Sequence, residues 1–219
     1  RDGYPLIELW DMNLQKRIHV YDIKLDEIYK KANISEPERA ERLKRPLLLS
    51  DGSIIISQVG KEKAILKLDK CGNFLKANKE FRTHHSLEQT KDGSIYTATL
   101  LDKSYVNDYK NLHPKNYTFD GFIEFDDNLN IKKSFSLLDI YAKNKLLGDV
   151  YNYGSPELIN DVFHVNDVQP YISESGDKYA FISHLRNSRV MAINLENMKV
   201  LWFLERATNL QHDVDILNE

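Results

Sequence analysis

Histidine, asparagine and arginine side chains occupy the positions of this sequence that best support chemistry. His85, His164, Asn166 and His212 are far apart in the chain, yet each lies at or just before a β-type stretch, and Arg186 lies in a turn between two such stretches. Arginine offers a planar fork of hydrogen-bond donors and asparagine adds a neutral donor, so the set suits an anionic, oxygen-rich group. A neutral imidazole can act as a nucleophile or a general base near pH 7. These residue types predict a site that binds such an anion, with a histidine available for catalysis.

Repeated strand pairs are the elements that must position these side chains. A strand, a tight turn and a second strand recur at residues 6–16, 64–75, 121–132 and 190–202, and the turns open with short polar residues that can bond their own backbone. These turn residues are Asp11, Asp69, Asp126 and Asn194. A second β-rich unit precedes the last three copies, at residues 46–56, 85–96 and 166–179, and the chain stops in another at 212–217.

Four strands in a period of about 40 residues are typical of a β-propeller blade. The sequence therefore predicts an all-β chain, with residues 1–219 forming a single propeller domain of half a blade, three full blades and one further strand. We expect this set to be an incomplete segment of a longer propeller. Short helical insertions are predicted within residues 23–44 and 137–147, and a polar loop within 104–118.

Propeller geometry explains how distant residues can meet. The innermost strand of each blade lines a central channel, and the predicted inner strands begin with Arg45, His85, Asn166 and His212. His164 shares a face with Asn166 because side chains alternate along a strand. We therefore expect these side chains to gather at one mouth of the channel.

Composition excludes several classes of protein. The chain has 219 residues and a net charge of −3, which gives no basic surface for nucleic acid. The apolar run at residues 200–204 is far too short to span a bilayer, and the first five residues do not resemble a signal peptide. Cys71 is the only cysteine, so no disulfide can form within the chain.

Other histidines and arginines have simpler interpretations. His19, His113 and His184 are expected to be surface or satisfied core residues, and Arg189 is expected to face solvent. Arg186 could merely cap its hairpin. His84 and His85 could be metal ligands, but compact spacings such as His-Glu-x-x-His are absent, so we expect no metal.

An ordered set of short motifs resembles the bacterial arylsulfotransferase (arylsulfate sulfotransferase) family. The motifs are His84-His85, Phe163-His-Val-Asn-Asp-Val-Gln-Pro170, Leu185-Arg-Asn-Ser188, and Trp202 followed by Gln211-His-Asp-Val214. The resemblance covers residues 85–217 and is compatible with the N-terminal strand pairs. It implies a six-bladed propeller in the periplasm or another extracytoplasmic compartment.

The resemblance also implies an activity and a role for each candidate residue. A sulfuryl group would move from an aryl sulfate donor to a phenol acceptor by a ping-pong mechanism, without a cofactor and without the nucleotide donor 3′-phosphoadenylyl sulfate. His212 matches the histidine that becomes sulfated, and His85 matches the histidine placed for proton transfer. His164 and Asn166 match the pair that contacts the sulfuryl oxygens, and Arg186 matches the arginine that stabilises their charge.

A propeller without turnover is the alternative hypothesis, since a fold does not decide a function. Such a protein would bind a ligand or another protein on the same scaffold. The two hypotheses differ in whether the five candidate residues point into one pocket.

Overall fold

The computed structural model describes residues 7–37, 43–106, 119–151, 162–186, 188–205 and 211–216. The chain divides into two compact units. The first unit comprises residues 1–83 and 127–130, and the second comprises residues 84–126 and 131–219.

Antiparallel strands form the first unit. A hairpin of β1 (Ile7–Asp11) and β2 (Lys16–Tyr21) comes first, and Ile7 pairs with Tyr21 in its register. A four-stranded meander follows, in the order β3 (Lys44–Leu48), β4 (Ile54–Val59), β5 (Ala64–Leu68) and β6 (Phe74–Asn78). The two-residue strand β7 (Arg82–Thr83) ends the unit.

One short helix covers the apolar core of the first unit. Helix α1 (Leu25–Ala32) buries four side chains at helical spacing: Leu25, Ile28, Tyr29 and Ala32. They pack with apolar residues of β4 and β5, among them Ile56 and Leu66. The helix lies within the segment in which the sequence predicted an insertion.

The second unit contains two further antiparallel sheets. One has the order β8 (Glu88–Gln89), β9 (Ile95–Leu101), β10 (Phe119–Phe125) and β11 (Ile131–Ser136). The other has the order β12 (Val165–Ile172), β13 (Lys178–His184), β14 (Arg189–Asn194) and β15 (Val200–Glu205). Strand β12 packs against β8 and β9.

Short helical elements lie between strands of the second unit. A 3-10 turn (Lys103–Tyr105) follows β9, and α2 (Leu137–Lys143) and α3 (Leu147–Tyr151) follow β11. The Ser136 hydroxyl caps α2 by accepting the Asp139 backbone N–H at 3.2 Å. Helix α2 packs on β10 and β11.

These elements confirm the predicted all-β class. Asp11, Asp69 and Asn194 accept backbone N–H groups in the hairpin turns, as their residue types predicted. The predicted strand at residues 212–217 is wrong over the residues that the structure describes, because 211–216 contain no strand. In that segment side chains, rather than a ladder of backbone hydrogen bonds, hold the chain.

Candidate active site

Four imidazole rings form a cluster in the second unit. His84 and His85 precede β8, His164 directly precedes β12, and His212 lies in the segment after β15. The ring centroid of His85 is 5.6 Å from that of His212 and 6.1 Å from that of His164. The His84 centroid is 4.9 Å from that of His85 and 5.7 Å from that of His164. Three of the predicted site residues therefore meet, and His84 joins them.

The backbone at two of these histidines is left-handed. The φ angle is 64° at His85 and 48° at His164, a region that costs a residue with a Cβ about 1–3 kcal/mol. Hydrogen bonds hold the second conformation: the Asp120 carboxylate accepts the N–H groups of His164 and Val165, each at 3.3 Å. The Leu185 N–H donates to the His164 carbonyl at 3.0 Å. Surrounding contacts thus fix the direction of the His164 ring.

A β-bulge places Asn166. In the pairing of β12 with β13, Val165 faces His184 and Asp167 faces Ser183, so Asn166 is the extra residue between them. Its side chain is fully buried, and its amide Nδ2 donates to the Gln211 carbonyl at 3.1 Å. Its amide oxygen accepts no hydrogen bond from the described residues. The Asn166 side chain therefore contacts the segment that carries His212 through the backbone carbonyl of Gln211.

Arg186 is exposed at the hairpin between β13 and β14. Its backbone N–H donates to the Phe163 carbonyl at 3.4 Å, and the Ser188 N–H donates to the Leu185 carbonyl at 3.2 Å. The hairpin is therefore tied to the residue just before His164. Arg45, predicted to gather with these residues, lies in β3 of the first unit and is exposed.

A buried carboxyl lies beside the His212 segment. The Asp167 carboxylate accepts the Val214 N–H at 3.1 Å. Burial raises the pKa of Asp167 to about 6, and the nearby Asp213 carboxyl acts in the same direction. Asp167 and Gln211 were not among the predicted site residues, although each is next to one in the sequence. Both stand inside the motifs at residues 163–170 and 211–214, but their hydrogen bonds to residues distant in the chain depend on the fold.

The expectation for Arg189 is wrong. Only 7% of Arg189 is exposed, and its guanidinium donates to Asp149 at 3.0 Å and to the Tyr141 hydroxyl at 3.2 Å. It also pairs with Glu205 and lies over the Phe203 ring, 4.3 Å from its centroid. These partners on three elements, α2, α3 and β15, offset the cost of desolvating the charge, so Arg189 is a core residue of the second unit.

The simpler interpretation holds in part for the other histidines: His184 is a core residue, but its Nε2 has no hydrogen-bond partner among the described residues. His184 is fully buried against Tyr141, and its burial, together with the nearby Arg189 charge, lowers its pKa to about 3. His19 lies in the first unit, with Nε2 2.6 Å from the Lys70 carbonyl oxygen. His113 lies outside the described residues.

Within the described part of the chain, no three His, Cys, Asp or Glu residues are arranged to hold a metal ion. The imidazole cluster is a candidate for chemistry at the rings themselves, since a neutral imidazole can act as a nucleophile or a base. None of the helices in the described ranges is long and apolar enough to cross a membrane.

Comparison with known proteins gives one family match. The model of a family described as arylsulfotransferase (ASST) matches residues 45–219, which include all five candidate site residues. The comparison with curated proteins found no match. One similar solved structure is a protein of unknown function from Bacteroides caccae, with 11% identity and a TM-score of 0.37. The match covers 75% of this chain and 46% of that protein, so this chain spans less than half of its length.

Proposed function

Because the chain belongs to the arylsulfotransferase family, we propose that it transfers a sulfuryl group from an aryl sulfate ester to a phenol. The observation that carries this proposal is the contact among the rings of His85, His164 and His212, which come from three distant parts of the chain. Neutral imidazoles gathered in this way provide both a nucleophile and a base.

In the first half-reaction, a neutral nitrogen of the His212 ring attacks the sulfur of the donor. The new N–S bond forms as the S–O bond to the aryl group breaks, and the phenolate leaves with the electron pair. His212 is exposed, so its ring is open to a substrate. Donors aimed at the sulfuryl oxygens stabilise the transition state, and this role falls to Arg186, His164 and Asn166.

In the second half-reaction, the oxygen of the acceptor phenol attacks the same sulfur. The phenol gives its proton to the His85 ring as the N–S bond to His212 breaks, which restores the neutral imidazole. The ring centroids of His85 and His212 are 5.6 Å apart, a separation that supports the action of both rings on one sulfur. The reaction needs no nucleotide donor, since the aryl sulfate itself supplies the sulfuryl group.

The proposal extends to the whole protein. The three four-stranded meanders, β3–β6, β8–β11 and β12–β15, each have the strand order of a propeller blade, which supports the six-bladed fold expected of the family. We place the enzyme in the periplasm or another extracytoplasmic compartment, where phenolic donors and acceptors would be its small-molecule partners.

Steady-state kinetics test the proposal. Full-length protein is incubated with 4-nitrophenyl sulfate and phenol, without added nucleotide, and 4-nitrophenolate release is followed by absorbance. We expect turnover that requires no nucleotide and parallel double-reciprocal lines as the phenol concentration is varied. Lines that intersect, or release that starts only when a nucleotide sulfate is added, would contradict the proposal.

A further inference from the structure

The segment that carries His212 is held by side chains. Residues 211–216 form no strand, so no backbone ladder fixes their position. On one side of His212, Gln211 makes hydrogen bonds through its amide nitrogen and its backbone carbonyl. On the other side, the Val214 N–H donates to Asp167. The hydrogen bonds of Gln211 and of Val214 thus anchor the segment on both sides of His212.

Gln211 is the stronger anchor because its amide bonds two strands at once. Its Nε2 donates to the His184 carbonyl at 2.8 Å and to the Arg189 carbonyl at 2.9 Å, which uses both amide hydrogens. His184 and Arg189 face each other across β13 and β14 and close the hairpin between these strands. The loop that this pair closes carries Arg186.

The base of this hairpin is rigid. His184 is fully buried and packs against Tyr141 and Phe163. The Arg189 guanidinium is fixed by Asp149 and Glu205. An amide that bonds the carbonyls of two such residues has little freedom to move.

The backbone of Gln211 reaches a third element. Its carbonyl accepts the Asn166 amide at 3.1 Å, and Asn166 is the bulged residue of β12. One residue therefore connects the segment of His212, the hairpin of Arg186 and the strand that follows His164. These are the three places that supply the proposed nucleophile and its sulfuryl-binding partners.

We infer that Gln211 is a positioning residue that fixes the His212 ring relative to the loop of Arg186. The effect on catalysis that we expect from this positioning rests on the proposed function. Group transfer needs the nucleophile aligned with the sulfur while the donors contact its oxygens, and a displacement of about 1 Å can reduce the rate about 100-fold. Gln211 supplies this alignment without touching the substrate.

An isosteric substitution of Gln211 tests this inference. Gln211→Glu keeps the shape of the side chain but replaces two N–H donors with an oxygen that faces two carbonyl oxygens. Gln211→Met removes the donors without adding charge. Gln89→Glu serves as the control, since Gln89 is exposed on β8 and belongs to no site described above.

The first readout is sulfation of His212 by 4-nitrophenyl sulfate alone, followed by rapid quenching and mass spectrometry. We expect Gln211→Glu to lower the sulfation rate and kcat about 100-fold, and Gln211→Met about 10-fold, with KM for the donor within about threefold of the wild-type value. Gln89→Glu should match the wild type. A folded Gln211→Glu or Gln211→Met protein that sulfates His212 within about twofold of the wild-type rate would overturn the inference.

The second readout does not depend on activity. Hydrogen–deuterium exchange of residues 211–216 should be about tenfold faster in both Gln211 variants than in the wild type, with exchange in β9 unchanged. Unchanged exchange in residues 211–216 would overturn the positioning role. If the wild type fails to turn over aryl sulfates while the exchange responds as expected, the proposed function fails and the anchoring role of Gln211 stands.

Discussion

Two of the residues at which the proposed chemistry takes place have a strained backbone. His85 and His164 both have positive φ, and Asn166 is a bulged residue. Such conformations cost free energy and persist only where other contacts impose them; at His164 and Asn166 these contacts are the Asp120 carboxylate and the pairing of β12 with β13. The strain is consistent with a site in which ring direction matters more than local stability.

At this scale the decisive variant is His212→Ala. If the ring is the nucleophile, its loss should remove donor cleavage as well as transfer, and kcat should fall at least about 1,000-fold. His85→Ala should leave cleavage of 4-nitrophenyl sulfate less affected than transfer to phenol, because 4-nitrophenolate leaves without proton help and His85 takes the proton of the acceptor. His19→Ala, a histidine of the first unit, is the control. The same absorbance assay measures all three, and wild-type turnover by His212→Ala would remove the assignment.

Arg186→Lys tests the geometry of charge at the sulfuryl group. Lysine keeps the positive charge but loses the planar fork, so we expect kcat/KM to fall about 10- to 100-fold while the free energy of unfolding stays unchanged. Arg17→Lys, at an exposed ion pair in the first unit, should change neither quantity. Equal kcat/KM for Arg186→Lys and the wild type would argue against the role.

At the scale of elements, the hairpin of β13 and β14 separates two arginines with different tasks. Arg186 lies in its exposed loop, whereas Arg189 closes its base among Tyr141, Asp149 and Glu205. Arg186 is therefore in solvent, whereas Arg189, three residues later, is buried among charged and aromatic side chains. Because Arg189 fixes the base of the hairpin, the loop holds Arg186 at its exposed end.

This arrangement predicts a stability effect for Arg189→Met. Methionine keeps much of the side-chain length but leaves Asp149, Glu205 and the Tyr141 hydroxyl without their shared donor. Since the two carboxylates are partly exposed, we expect the free energy of unfolding to fall by about 2 kcal/mol rather than by the larger loss seen for fully buried pairs. Urea unfolding of wild type, Arg189→Met and Arg186→Lys measures it. An unchanged midpoint for Arg189→Met would contradict the structural role.

At the scale of the whole molecule, the Asp167 carboxyl links folding to pH. In the unfolded chain it ionises near its ordinary pKa of 3.8, whereas burial raises its pKa in the folded protein to about 6. Between these pH values the folded state binds more protons than the unfolded state, so this group lowers the free energy of unfolding as the pH rises. The loss is complete above about pH 6.

Asp167→Asn should remove this pH dependence while still accepting the Val214 N–H. Two pKa units correspond to about 2–3 kcal/mol, so the variant should gain about that much stability over the wild type between pH 4 and pH 7. Urea unfolding at pH 4, 5, 6 and 7 provides the comparison. Parallel stability curves for the two proteins over this range would show that the folded-state pKa is not raised.

The sequence alone determined the features that depend on local preferences. Alternating apolar residues and short polar turn residues such as Asp69 and Asn194 specify hairpins, because both signals act within a few residues. The helical spacing of Leu25, Ile28, Tyr29 and Ala32 likewise specified a helix. The ordered motifs around His85, His164, Arg186 and His212 indicated the family that the match over residues 45–219 shows.

Only the tertiary structure decided how the candidate residues are held. The bulge at Asn166 ends the regular alternation of side chains that the sequence pattern predicted, and the positive φ of His164 is held by Asp120, a neighbour distant in the chain. Arg189 is buried because partners from three other elements meet there, and residues 211–216 are held by side-chain hydrogen bonds rather than by a strand. Each of these outcomes depends on long-range packing and on hydrogen bonds between distant residues, which the local pattern of a sequence does not contain.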